Sequence, residues 1–145
     1  MTSASDFDRA DAVAFAAMLE GTWDFLDWTT DFADRQPKFR PMGEGAHGLL
    51  IYATDGHMCA CIRRRTPADG RTSDSGDYFS YAGRYRIERD AIVHMVDLAT
   101  LPAMIDSEQM RHVSFTADRM VLTANDAARG RTDTIEWRRA KSPDR

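Results

Sequence analysis

Two cysteines are all that this chain carries in 145 residues. Cys59 and Cys61 stand two apart, so in an extended segment their side chains share a face without the approach a disulfide needs. No disulfide framework is expected, and a reducing, cytoplasmic setting is. Long apolar runs are also lacking. None approaches the roughly 20 residues of a membrane span, and Met1 to Ala10 is polar and acidic where a secretory signal would be basic and then apolar. Nor is there an excess of positive charge. Nineteen Lys and Arg stand against 23 Asp and Glu, a net charge of −4, which argues against a nucleic-acid partner; the triplet Arg63-Arg64-Arg65 reads as a solvated strand end. No Gly-x-Ser-x-Gly, phosphate loop or dinucleotide fingerprint is present, so the common serine-hydrolase, nucleotide and hydride chemistries have no anchor.

What the sequence holds instead is a series of short extended runs punctuated by turns. Asp8 to Glu20 predicts a short helix with Val13, Phe15, Ala16, Ala17 and Leu19 apolar, Asp8 or Asp11 as a cap, and Gly21 at its end. Residues 1–7 are expected to be disordered. Thr22 to Thr30, dense in aromatics and threonine, predicts a strand, and the prolines and glycines between Asp31 and Gly48 predict a long, lid-like loop. Leu49 to Thr54 and His57 to Arg65 flank Asp55-Gly56, the signature of a hairpin with a two-residue type I′ turn. After a loop over Thr66 to Gly76 come Tyr78 to Glu88, Ala91 to Asp97, Glu108 to Thr116, Arg119 to Ala124 and Thr132 to Arg139. Ala99 to Ser107 is expected to cross one mouth. Eight short strands in series are about the number that closes into an up-and-down barrel around one small ligand. The expected fold is thus all-β, an eight-stranded antiparallel up-and-down barrel with a short N-terminal helix: residues 1–18 tail and helix, 19–140 the barrel domain, 141–145 a tail.

Several blocks, in order, carry a resemblance. Gly21-Thr22-Trp23, Pro41-Met42-Gly43, Gly48-Leu49-Leu50-Ile51-Tyr52, Asp55-Gly56-His57-Met58, Tyr81-Ala82-Gly83-Arg84-Tyr85, Val93-His94, Arg111-His112-Val113 and Glu136-Trp137-Arg138-Arg139 together resemble the bacterial and fungal lipocalin-like domain family. The resemblance implies a calycin-type barrel around an apolar cavity. It implies little about chemistry, because members with assigned reactions span isomerisation, cyclisation and other small-molecule steps. The two cysteines are not part of it.

Strand parity decides which side chains meet inside such a barrel, because side chains alternate faces with period two. Trp23, Phe25 and Asp27 share a face, which would bring Asp27 inward above Trp23, to pair with an arginine or to carry a raised pKa. His94 shares its face with Ile92 and Val96, Tyr81 with Tyr85, and Gln109 with Arg111 and Val113. The competing parity sends Arg84 and His112 inward, and Gly83 marks a bulge or close approach where parity can switch. If the first set faces inward, His94 is a candidate general acid or base, Arg111 holds developing negative charge, and Asp27 completes the catalytic set. Tyr81, Tyr85, Gln109, Trp23, Tyr52 and Trp137 are then candidate substrate contacts, with Met58, Met95, Met104 and Met110 as flexible lining. His57, Cys59 and Cys61 share a strand face, but the spacing is poor for zinc; two small buried thiols are the plainer reading, and no metal or other cofactor is expected. Two functions fit. One is an enzyme that binds a hydrophobic, aromatic or polyketide-like metabolite and catalyses a cofactor-free isomerisation, cyclisation or elimination. The other is a carrier or sensor that uses the same cavity without chemistry. Trp28 and Phe32, read as exposed, are consistent with a homodimer patch, the oligomeric state being open, and neither nucleic acid nor membrane is expected as partner.

Overall fold

Among the described residues, alternating apolar and polar positions joined by tight turns give one α-helix, Arg9–Leu19 (α1), and eight strands: Gly21–Phe32 (β1), His47–Tyr52 (β2), His57–Arg63 (β3), Tyr78–Glu88 (β4), Ala91–Ala99 (β5), Glu108–Thr116 (β6), Arg119–Asp126 (β7) and Arg131–Arg139 (β8). The computed structural model describes residues 9–34, 38–65 and 75–143. The expected disorder of residues 1–7, the cap at Asp8 and most of the loop over Thr66 to Gly76 lie outside them. Each strand pairs antiparallel with the next, and β8 closes on β1, so the sheet has no free edge. This is the up-and-down barrel that the serial hairpins predict.

One end is closed. α1 seats Leu19, which is fully buried, and turns Phe15 edge-on to Phe115 with ring centroids 5.6 Å apart. Trp23 donates its Nε1 hydrogen to the Leu19 carbonyl at 2.9 Å, and Arg139 lies 3.9 Å over its ring while donating to the Glu20 and Met18 carbonyls. The opposite mouth is framed by the end of β1, the start of β8, and the connection from β5 to β6, where Met104 packs on the core from a single 3-10 turn at Pro102–Met104. The expected lid packs closely where it is described: Phe39 pairs with Thr30, and Met42 and Ala46 are buried.

Two irregularities decide what faces inward. In β1 the pairing with β8 slips between Phe25 and Asp27, so that Phe25 opposes Trp137 while Asp27 opposes Glu136. Leu26 is the additional residue, and it moves Trp28 and Thr30 onto the interior face and Asp27 off it. In β5 the slip opposite Ala82 and Gly83 leaves Asp97 as the additional residue. The bulge thus lies in β5, while β4 keeps one parity through Tyr81, Tyr85 and Ile87. Gly83 permits it by close approach, since a Cβ there would stand 2.0 Å from the Met95 carbonyl oxygen.

The hairpin after β2 also differs from expectation. Ala53 donates to the His57 carbonyl and accepts from Gly56, which leaves a three-residue loop in which Gly56 takes the positive φ of 93° and Asp55 does not. That is the arrangement of a turn followed by a glycine bulge, in place of a two-residue type I′ turn.

Candidate functional site

His94 sits midway along β5, on the face it shares with Ile92 and Val96, and is 2% exposed. Both ring nitrogens meet phenols. Nε2 is 2.6 Å from the Tyr52 hydroxyl and Nδ1 is 2.6 Å from the Tyr81 hydroxyl. Tyr81 reaches the ring from β4, next to β5, and Tyr52 from the last position of β2. Burial, with a smaller contribution from the Arg111 charge, lowers the His94 pKa to about 3, so the imidazole is neutral at physiological pH. Burial likewise raises Tyr52 well above the ordinary phenol value and raises Tyr81, against the opposing charge of Arg111, so both phenols keep their protons. Tyr85 stacks edge-on to Tyr52 at 5.0 Å and donates to the Ala53 carbonyl at 2.7 Å.

β6 supplies the wall beside His94. Its exposure alternates strictly, with Gln109, Arg111, Val113 and Phe115 on the interior side and Met110, His112 and Ser114 on the outer side. Gln109 is the direct partner of His94, and Arg111 the partner of Ile92. Arg111 donates to the Met110 carbonyl at 3.0 Å and lies 3.5 Å from the Gln109 side-chain oxygen. It makes no ion pair with a carboxylate among the described residues. The parity that would have sent Arg84 and His112 inward is not adopted; Arg84 faces out, paired with Asp97 at 3.3 Å.

A second polar cluster lies nearer the mouth. Asp133 accepts from Thr30 Oγ1 at 2.6 Å, from Trp28 Nε1 at 3.0 Å and from Arg131 Nε at 2.8 Å. Burial pushes its pKa up, but the hydrogen bonds from Arg131, Thr30 and Trp28 outweigh it and hold the group below the usual carboxylate range. An aromatic path joins the clusters: Trp28 to Phe79 at 5.0 Å, Phe79 to Tyr81 at 5.8 Å, Tyr81 to His94 at 5.5 Å.

Of the residues picked from sequence, the structure brings His94, Tyr52, Tyr81, Tyr85, Gln109 and Arg111 to one side of the interior. It does not bring Asp27, which the Leu26 bulge turns outward to an ion pair with Arg40 at 3.1 Å. Trp23 belongs to the closed end, and Trp137 packs edge-on to Phe25 at 5.5 Å. The same bulge corrects the expected dimer patch: Trp28 is 8% exposed, and Phe32 is half-buried with Arg131 5.8 Å over its ring. Met58 and Met104 pack on the core, whereas Met95 and Met110 lie off the interior face. Cys59 and Cys61 are exposed, not buried, and free; no metal-binding group of three or more ligands occurs among the described residues. Sequence reasoning missed Asp133, Thr30 and Arg131. Counting back by two from inward Trp137 through Ile135 reaches Asp133 and Arg131, so the signal for those was present.

Residues 20–140 match the lipocalin-like domain family, and the chain belongs to it. The lipocalin-like barrel is a small-molecule-binding fold. No curated protein matches the chain. Among solved structures it is similar to the lipoprotein YedD from Klebsiella pneumoniae at 12% identity, over 86% of this chain and 74% of that one, with a TM-score of 0.44. A protein from Bacteroides eggerthii is similar at 14% identity, over 84% and 99%, with a TM-score of 0.46. A lipocalin-like protein from Bacteroides uniformis is similar at 14%, over 85% and 99%, with a TM-score of 0.45. No helix among the described residues is long and apolar enough to cross a membrane.

Proposed function

We propose that this barrel binds a small hydrophobic molecule in its interior, on the wall formed by Tyr52, Tyr81, Tyr85, His94, Gln109 and Arg111. The observation that carries this reading is a polar set beyond what packing requires. Plain core would fill these inward positions with aliphatic side chains, yet here an imidazole, three phenols, an amide and a guanidinium share one side. Concave apolar sites with a few convergent polar groups are how proteins orient small ligands. The two exposed free thiols support a reducing compartment such as the cytoplasm.

A cofactor-free proton-transfer enzyme is the second reading, and the continuous Tyr52, His94, Tyr81 chain favours it. His94 would not serve as a simple general base, because a group with a pKa of about 3 accepts protons poorly at neutral pH. It would act as a relay. The phenol that accepts from the imidazole gives its own proton to the substrate and takes the imidazole N–H proton. The opposite phenol re-protonates the imidazole and is itself restored by a proton leaving the substrate.

The binding reading is tested with the uncharged fluorophore N-phenyl-1-naphthylamine. Gln109 and Met110 are neighbours on opposite faces of β6. Gln109→Trp, which sets a larger side chain on the interior face beside His94, is expected to weaken binding at least tenfold; Met110→Trp is expected to leave it unchanged. Equal effects of the two, or no binding by the unaltered protein, would contradict the reading.

A further inference from the structure

Counting protons along the Tyr52, His94, Tyr81 chain leaves one too many. A neutral imidazole has one N–H donor and one bare nitrogen acceptor. Each flanking phenol brings one O–H. Three protons therefore serve two contacts, at 2.6 Å each. The bare nitrogen accepts from one phenol, and the imidazole N–H donates to the oxygen of the other. The hydrogen of that second phenol then has no acceptor among the described residues. Protonating the imidazole would leave two such hydrogens. Tyr52 is 1% exposed and Tyr81 6%, so bulk water does not supply the acceptor, and a buried donor left unpaired is costly.

Two further interior groups are unmatched in the same sense. Trp137 Nε1 is buried with no hydrogen-bond partner among the described residues. Arg111 has five N–H donors, of which its contacts engage two, to the Met110 carbonyl and weakly to Gln109; its charge acts on His94, Tyr52 and Tyr81. All three unmatched groups are donors, and one is cationic. The inward carboxylate of Asp133 does not compensate them, because Arg131, Thr30 and Trp28 occupy it.

We infer that the ligand of this barrel is a small hydrophobic organic anion, whose carboxylate or comparable oxyanion lies between the Arg111 guanidinium and the spare phenolic hydrogen of the Tyr52 and Tyr81 pair. The inference rests on the proposal that the interior binds a small molecule, and it adds the charge of the ligand and the residues that read it. Arg111 is the specificity-determining residue: it stands half-buried on the wall, where a planar guanidinium suits a two-oxygen anion.

The test uses two probes that share one aromatic frame, 1-anilinonaphthalene-8-sulfonate and N-phenyl-1-naphthylamine, which lacks the sulfonate. The unaltered protein is expected to bind the sulfonate at least tenfold more tightly. Arg111→Gln is expected to remove that preference, with an unchanged far-ultraviolet circular dichroism spectrum reporting that the barrel is intact. Equal affinity of the unaltered protein for both probes, or a preference that survives Arg111→Gln, overturns the anion assignment while leaving interior binding in place. Failure of both probes to bind overturns the binding proposal itself and this inference with it.

Discussion

Two polar clusters face the interior of this barrel, and they are built to opposite ends. Around Asp133 every charge is matched: one carboxylate receives hydrogen bonds from a guanidinium, an indole and a hydroxyl, and the guanidinium also covers the Phe32 ring. Around His94 the donors outnumber the acceptors, and the nearby cation has no counter-charge among the described residues. The first cluster is complete without a ligand and ties β1 to β8 at the mouth. The ligand proposed above would complete the second. Buried polar groups in this barrel therefore divide by whether they are satisfied, and the unsatisfied set is the one on which the proposed site rests.

Removing a member of the complete cluster carries the largest expected cost. Asp133→Ala leaves Trp28 Nε1, Thr30 Oγ1 and the Arg131 charge without their acceptor, and should lower stability by about 2–4 kcal/mol in denaturant unfolding. A loss well under 1 kcal/mol would mean that the cluster is not the tie described here.

Acid should act on the other cluster. The folded protein holds His94 neutral down to about pH 3, whereas the unfolded chain takes up that proton near the ordinary 6.5. Protonation thus favours the unfolded chain throughout that window. Stability from this group is fully present above about pH 6.5, falls as the pH drops, and stops falling below about 3. One proton gives a slope of at most about 1.4 kcal/mol per pH unit. His94→Gln keeps an acceptor and a donor for the two phenols, should cost only about 1 kcal/mol at neutral pH, and should flatten the acid limb by up to that slope. An acid limb unchanged by His94→Gln would place the titration elsewhere.

Surface changes should do least. Asp27→Asn removes an exposed ion pair with Arg40 and is expected to change stability by less than about 1 kcal/mol and to leave probe binding alone. A binding defect there would return Asp27 to the interior. The double change of Cys59→Ser with Cys61→Ser, on the exposed outer face, should fall within about 0.5 kcal/mol.

Much of this could be read from the chain itself, because hairpins are local. The turns at Gly56, Arg89-Asp90 and Ala117-Asp118 delimit six of the strands, and alternation within β6 puts Gln109 and Arg111 on one face without help from the rest of the fold. What parity could not deliver is a residue beyond a bulge. Leu26 carries no glycine or proline to announce that β1 skips a step, so Asp27 and Trp28 exchange faces relative to a regular strand. Gly83 did signal close approach, but the additional residue lies across from it at Asp97, a position only the pairing with β5 defines. The meeting of Tyr52 with His94 is likewise illegible locally: β2 and β5 are not neighbours in the sheet, and the contact exists because the barrel closes.

The central claim is that His94 is a neutral imidazole held between two protonated phenols. Nitrogen-15 NMR of histidine-labelled protein, titrated from pH 8 to pH 4.5, addresses it directly. The His94 ring is expected to keep two distinct nitrogen signals, one protonated and one bare, across the whole range, since its pKa lies at about 3. A His94 ring whose two nitrogens converge to the imidazolium values between pH 6 and 7 would contradict it.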